Sequence, residues 1–227
     1  ATVSSHNMEW FGDAPDHQLF DDLLSKYVDE KGRVDYKSFK ADVPKLEIYL
    51  SELSASFPSS QWSSNEKLAY WINAYNAYTI KLILDHYPVN SITEIEGGKP
   101  WDKKWIKLGT KVYSLNEIEN EVIRVQFKEP RIHFAVNCAA KSCPPLANKA
   151  YTANNLDMML QERTKTFINN PDYNQIQPSK ISISKIFDWY QSDFKDVISF
   201  LNNYSSSKIN SSANISYLEY DWALNKQ

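Results

Sequence analysis

Apolar residues first recur at helical spacing at Leu19, Phe20, Leu23, Leu24 and Tyr27, behind Asp16, a suitable capping acceptor. The following Asp29-Glu30-Lys31-Gly32 superficially suggests a calcium loop. With Gly32 at the sixth position, however, Tyr27, Lys31 and Ser38 would occupy ligand positions that need carboxylates, so the stretch predicts a turn into a short strand. The strongest helical pattern runs from Ser63 to about His86, opens on a Ser63/Glu66 capping box and is closed by Tyr87-Pro88. At about 100° per residue, Lys67, Ala74, Lys81 and Asp85 share one stripe, the expected wet side, and Asn76 points roughly 160° away from it. Asn73 lies at the flank of the apolar surface. A buried amide without partners costs about 1–3 kcal/mol, so both asparagines need defined partners, in a site or in loop backbone tied to the helix.

Downstream, Trp105 to Leu108, Gly109-Thr110 and Lys111 to Tyr113 predict a hairpin. A second capping box, Ser114/Glu117, opens a helix with Leu115, Ile118, Val122 and Val125 on one face, stopped by Glu129-Pro130. Alternation from Arg131 to Cys138 predicts a buried strand carrying His133, with the Ser142-Cys143-Pro144-Pro145 loop beyond it. Leu156, Leu160, Arg163 and Phe167 predict a helix, Lys180 to Phe187 a half-buried strand, and Phe194 to Leu201 another helix. The Ser/Asn-rich residues from Asn202 to Ser212 form a loop, and Ile215 to Trp222, aromatic on both faces, predicts a central or well-covered strand. This interleaving, with a hairpin and unequal spacings, gives an α+β fold, several helices around a small mixed or antiparallel sheet. Residues 1–33 are a helical segment expected to join the core of residues 34–227 in one domain.

Composition narrows the function classes. The 227 residues include 7 Trp, 14 Tyr and 10 Phe, enough for a large side-chain-rich core, and only 5 Gly, which argues against disorder or a fibrous chain. A net charge of −3 with scattered Lys and Arg offers no footprint for nucleic acid. No apolar run approaches the ~20 residues that span a bilayer. If Ala1-Thr2-Val3-Ser4-Ser5 follows a cleaved export signal, a periplasmic or secreted location is favoured; the two cysteines leave the compartment open.

Both cysteines and one of the four histidines fall between His133 and Cys143. Read together, the segments resemble the family called domain of unknown function 547. The pieces are Val34-Asp35-Tyr36, Tyr70 to Ile80, Tyr87-Pro88-Val89 before Ser91-Ile92, and Ser114 to Glu119. Pro130 to Ala135, Cys138 to Leu146, Trp189-Tyr190 before Asp193-Phe194, and Tyr220-Asp221-Trp222 before Leu224-Asn225 complete the order. The resemblance implies relatedness over nearly the whole chain beyond Val34 and brings no agreed reaction. Fusion of some eukaryotic members to a glutaredoxin-like module implies a link to thiol chemistry.

Three readings of the cysteine–histidine run stay open. The first is a thiol-dependent hydrolase or acyl transferase with Cys143 as nucleophile, His133 as base, and Asn76 or Glu121 orienting the imidazole. In it Cys143 is the reactive sulfur, in an open loop near Ser142 and Lys141, while Cys138 is packed in the core with a raised pKa. The second is a thiol-redox pair, Cys138 and Cys143, whose four-residue spacing matches no standard motif. The third is a non-catalytic binding or interaction module with buried cysteines, taking a small-molecule or peptide ligand. Zinc is disfavoured, because alternation turns His133 and Cys138 to opposite faces, and no cofactor is expected. Asp221 is expected to be buried and paired with Arg131 or Arg124, and Glu119 and Glu121 to form a solvated face. His6 is expected in a mobile terminus, His17 near a helix start, and His86 at a helix C-terminus.

Overall fold

The computed structural model describes residues 12–227; the expectations for His6 and for Ala1 lie outside them. The fold is α+β, with helices dominant and two small sheets. α1 (Gln18–Tyr27), α2 (Tyr36–Phe39) and α3 (Val43–Ala55) pack with α4 (Ser64–His86), the longest element, into one large hydrophobic core. The capping box of α4 is present in both directions, Ser63 to Glu66 and back. The expected wet stripe is narrower than its period implies: Ala74 is buried and Lys81 half-buried, because neighbouring elements surround the middle of the helix. Asn73 and Asn76 are both buried.

β1 (Ile106–Leu108) and β2 (Lys111–Tyr113) form the expected hairpin, with Gly109 at φ 62° in its turn. The capping box at Ser114 and Glu117 also forms. The helix it opens departs from the expected face, because Glu117–Ile123 is π-helical before α5 (Arg124–Phe127) resumes. A π stretch accommodates an extra residue and rotates the later side chains about the helix axis. Val125 is therefore turned out to solvent at 60% exposure, while Glu119 is buried.

The His133 segment is not a strand. Glu129 accepts from Arg131 N–H, Pro130 starts the first turn, and Pro130–Phe134 is a 3-10 helix. Its alternation has another cause: Ile132 belongs to the large core, whereas Phe134 belongs to a second cluster with Phe167, Ile181, Ile183, Phe187 and Phe194. Two separate cores, reached by residues two apart, mimic one apolar face of a strand. The second cluster is built by α6 (Leu156–Asn169), β3 (Gln175–Ile176), β4 (Lys180–Ile183), α7 (Ile186–Trp189), α8 (Gln191–Phe194), α9 (Val197–Asn202) and β5 (Asn214–Tyr217). β4 pairs antiparallel with β3 and parallel with β5. The last strand is thus an edge, short and largely exposed, rather than central. The aromatic residues beyond it, Tyr220 and Trp222, line a cavity instead of covering a sheet. No helix among the described residues is long and apolar enough to cross a membrane.

Asn73 and Asn76 tie loop backbone to α4. Asn73 accepts from Tyr151 N–H at 3.0 Å and donates to the Tyr151 carbonyl at 2.7 Å. Asn76 accepts from Asn137 N–H at 2.8 Å and donates to the Ala135 carbonyl at 3.0 Å. Asn76→Ala would leave both of those backbone groups unpaired in the interior. Urea unfolding is expected to show a loss on the order of 3 kcal/mol; a loss below about 1 kcal/mol would mean that solvent or loop movement replaces the bonds.

Candidate functional site

The residues from Ala135 to Leu146 fold back on themselves around Asn137. Its side chain accepts from Ala139 N–H at 2.9 Å and donates to the Pro144 carbonyl at 3.0 Å. Asn225 donates to the same Asn137 oxygen at 3.2 Å and accepts from the Tyr36 hydroxyl at 2.6 Å. Ala139 takes a left-handed conformation, φ 61°, and Cys143 N–H reaches the Ala140 carbonyl at 3.2 Å. The C-terminal segment is sewn along this loop: Lys141 N–H to the Ala223 carbonyl, Ser142 N–H to the Asp221 carbonyl, and Asp221 N–H to Ser142 Oγ at 2.7 Å. Ser142 is therefore part of the stitching.

Folding the loop this way brings the sulfurs together. Cys138 Sγ and Cys143 Sγ are 2.9 Å apart, both free thiols, and Tyr220 Oη lies 3.3 Å from Cys138 Sγ. Cys138 N–H donates to Cys143 Sγ at 3.0 Å. The expected order of exposure is reversed: Cys143 is buried and Cys138 only half-buried. The two prolines after Cys143 turn inward, held by Asn137 and by Arg163, which donates to the Pro145 carbonyl. Gly32 permits this closure, since a Cβ there would meet Pro145 at 2.6 Å.

The thiols are unequal. The hydrogen bond from Cys143 holds Cys138 below the usual thiol range against the cost of its burial, with Tyr220 assisting. Burial, then the neighbouring Cys138, pushes Cys143 well up. These directions favour the thiolate form at Cys138, whereas loop position alone favours Cys143.

His133 lies in the same cavity wall but is not held by Asn76. Its Nε2 is 2.7 Å from Asp193 Oδ2, and Asp193 is also gripped by Arg124 at 2.7 and 3.1 Å. Partial burial works against the Asp193 charge, but the Arg124 and His133 bonds hold its carboxyl below the usual range. An ionised carboxylate can only accept, so the imidazole proton sits on Nε2 and Nδ1 carries the lone pair. That Nδ1 is buried and has no hydrogen-bond partner, so neither sulfur is bonded to it. Burial lowers the His133 pKa to about 4, despite Asp193. Tyr190 stacks on the ring with centroids 4.0 Å apart and donates to Glu119 Oε1 at 3.1 Å. Glu119, buried, has its pKa raised by desolvation.

Other expected site residues lie elsewhere. Glu121 is exposed and orients nothing. Asp221 is exposed too, and its carboxylate accepts from Ala223 N–H rather than from an arginine. Arg131 binds Glu129, Asp157 and Gln161, clamping the 3-10 turn to α6. His17, at the N-cap of α1, is buried against the Tyr49 hydroxyl, and His86 is bonded to the Leu82 carbonyl. Among the described residues no three His, Cys, Asp or Glu side chains converge as a metal site.

The sulfurs, His133 and Glu119 share a cavity of about 230 Å³ lined by elements of both cores, with Tyr75, Val136 and Pro144 at its base. Its outer part is aromatic: Trp101, Trp189, Tyr190, Tyr220 and Trp222. Asp193, Tyr190, Tyr220 and Glu119 complete the site beyond what the cysteine–histidine run displays. Glu119 had a readable signal, since four helical residues turn about 40° past a full circle, placing it near Leu115 on the apolar face. Asp193 and Tyr190 stood in the sequence only as part of the Trp189-Tyr190 and Asp193-Phe194 piece of the family resemblance.

The depressed His133 pKa sets a pH dependence. The unfolded imidazole takes a proton near its ordinary pKa of about 6.5 and the folded one only near 4, so stability is full above 6.5 and falls as pH drops toward 4. The contribution is on the order of 3 kcal/mol. His17, also lowered to about 4 by burial, acts with the same sign. His133→Phe keeps a ring against Tyr190, and is expected to reduce proton uptake on unfolding near pH 5.5 by close to one proton. An unchanged uptake would show that His133 is protonated in the folded protein.

Neither a curated protein nor a solved structure matches this chain. One family model does, described as "Protein of unknown function, DUF547", and its match covers residues 59–168, which include α4, the π-helix, His133 and both cysteines. Residues 59–168 of this chain belong to the DUF547 family.

Proposed function

We propose that this protein carries out thiol–disulfide exchange at Cys138 and Cys143. The observation that carries the reading is the contact of the two sulfurs, 2.9 Å apart, on the wall of a cavity. Exchange needs an attacking thiolate that a substrate can reach and a second thiol close enough to resolve the mixed disulfide. Cys138, half-buried with a lowered pKa, suits attack; Cys143, buried behind it with a raised pKa, suits resolution.

The steps balance with a disulfide substrate as the oxidant. Cys138 thiolate attacks one substrate sulfur, the substrate S–S bond breaks, and one thiolate departs. Cys143 then loses its proton and attacks Cys138 Sγ, forming the Cys138–Cys143 bond and expelling the second substrate thiolate. The protein gives up two electrons and the substrate disulfide takes them, with protons going to the departing thiolates. The Tyr220 hydroxyl, donating to Cys138 Sγ, favours the thiolate before attack.

Acyl transfer from a cysteine is the second reading, favoured by the His133–Asp193 pair. Against it, His133 Nδ1 is bonded to neither sulfur, so no base is in place to take the thiol proton.

Oxidised glutathione serves as a generic disulfide probe. The reduced protein is expected to lose two hydrogens by mass as the Cys138–Cys143 bond forms. Cys143→Ser should accumulate a glutathione adduct on Cys138, while Cys138→Ser should react about tenfold more slowly or less. Faster adduct formation on Cys143, or no intramolecular disulfide, would overturn the reading. A stable acyl adduct on either cysteine from an activated ester, lost in His133→Phe, would favour acyl transfer instead.

A further inference from the structure

The outer half of the cavity is more specialised than thiol exchange requires. Trp189 is 47% exposed, with its ring 6.2 Å from that of Trp222 at 27° and 4.7 Å from that of Tyr220. Trp101 stands 5.5 Å from Trp222 at 60°, fixed by its carbonyl accepting from Asn116 N–H. These rings form a connected aromatic wall on the cavity. Among the described residues Glu119 brings the one carboxylate to this lining, and no lysine or arginine lines it. Arg124, the nearest guanidinium, is engaged with Asp193 behind Tyr190.

We infer that this wall and Glu119 form a binding site for a small organic ammonium group, seated against Trp101, Trp189, Trp222 and Tyr220 with its charge facing Glu119. Aromatic faces attract a cation through their quadrupoles, more strongly when water is excluded. One Glu119 oxygen accepts from Tyr190, and among the described residues the other has no hydrogen-bond partner. A cation in the cavity supplies the missing counter-charge. Among the described residues an anion would find no basic side chain in the lining, and a neutral ligand would bring no counter-charge to an ionised Glu119. The site is independent of the thiol exchange and is tested without it.

The group that must ionise is Glu119. It is faced by Tyr190 and, through space, by Arg124 and Asp193; Tyr75, Cys138 and the neutral His133 line the same cavity. Of these, His133 and Tyr75 do not change charge between about pH 5 and 8, and Arg124 and Asp193 stay paired. Removing the thiols leaves Glu119 as the titrating group. Desolvation raises the Glu119 pKa, so cation binding strengthens as rising pH ionises it.

The test uses Cys138→Ser/Cys143→Ser protein, in which thiol chemistry is impossible, so failure of the exchange reading leaves it untouched. Choline and its neutral isostere 3,3-dimethyl-1-butanol are titrated by calorimetry and by the fluorescence of the cavity tryptophans. Choline is expected to bind at least about tenfold more tightly than the isostere, and more tightly at pH 8 than at pH 5. Adding Glu119→Gln should remove that preference. Trp189→Ala, at an exposed position where folding is not at risk, should weaken choline about tenfold. Equal binding of the two probes, or a preference that survives Glu119→Gln, would overturn the inference. Binding of N-acetylglucosamine without choline would overturn it in favour of a carbohydrate site, and binding of none of the three would overturn it outright.

Discussion

The site depends on one buried amide. Asn137 donates its backbone N–H to the Asn76 side chain on α4 and, through its own side chain, holds Ala139, Pro144 and Asn225 at once. Its contacts join the central helix, the cysteine loop and the C-terminal segment. Each bond replaces one that the same group would make to water, so the net gain per bond is about 1 kcal/mol. Losing the junction is costlier, because several buried groups would lose their partners together. The geometry of the sulfurs is its consequence: the loop closes, Cys143 turns inward, and stitching of Ser142 to Asp221 carries Tyr220 to Cys138.

Burial at the seam between the two cores then sets the chemistry. Glu119, His133 and Cys143 are each pushed toward the neutral form, while Cys138 and Asp193 are held toward the charged form by hydrogen bonds. The charged pair Arg124–Asp193 sits behind the cavity, where it orients His133 rather than facing a ligand. The cavity thus combines one favoured thiolate, one buried carboxyl and aromatic walls, the set on which both proposals rest.

Much of the fold was legible in local signals. The α4 helix, both capping boxes, the Gly109 hairpin and α6 arise from spacing, caps and turn residues, which act within a few positions along the chain. The errors share a cause. Ile132 and Phe134 alternate because they enter two different cores, and Tyr220 and Trp222 are apolar because they line a cavity; in both places a tertiary demand imitated the two-residue period of a strand. Val125 was misplaced because the π stretch shifts the phase of the helix, which no local spacing announces. His133, Cys138 and Cys143 of the cysteine–histidine run do line one cavity, but the exposure of each sulfur was set by Asn137, Arg163 and Gly32, the last of them in a distant part of the chain. Asp193 reaches His133 across sixty residues, beyond any periodicity argument.

The account turns on the inequality of two touching thiols. Carbon-13 NMR of the cysteine Cβ atoms, recorded across pH in the reduced, folded protein, reads each ionisation separately. The account predicts that Cys138 ionises first, below the ordinary thiol pKa of about 8.5, while Cys143 stays protonated well above it. Cys143 ionising first, or both titrating together at the ordinary value, would contradict it.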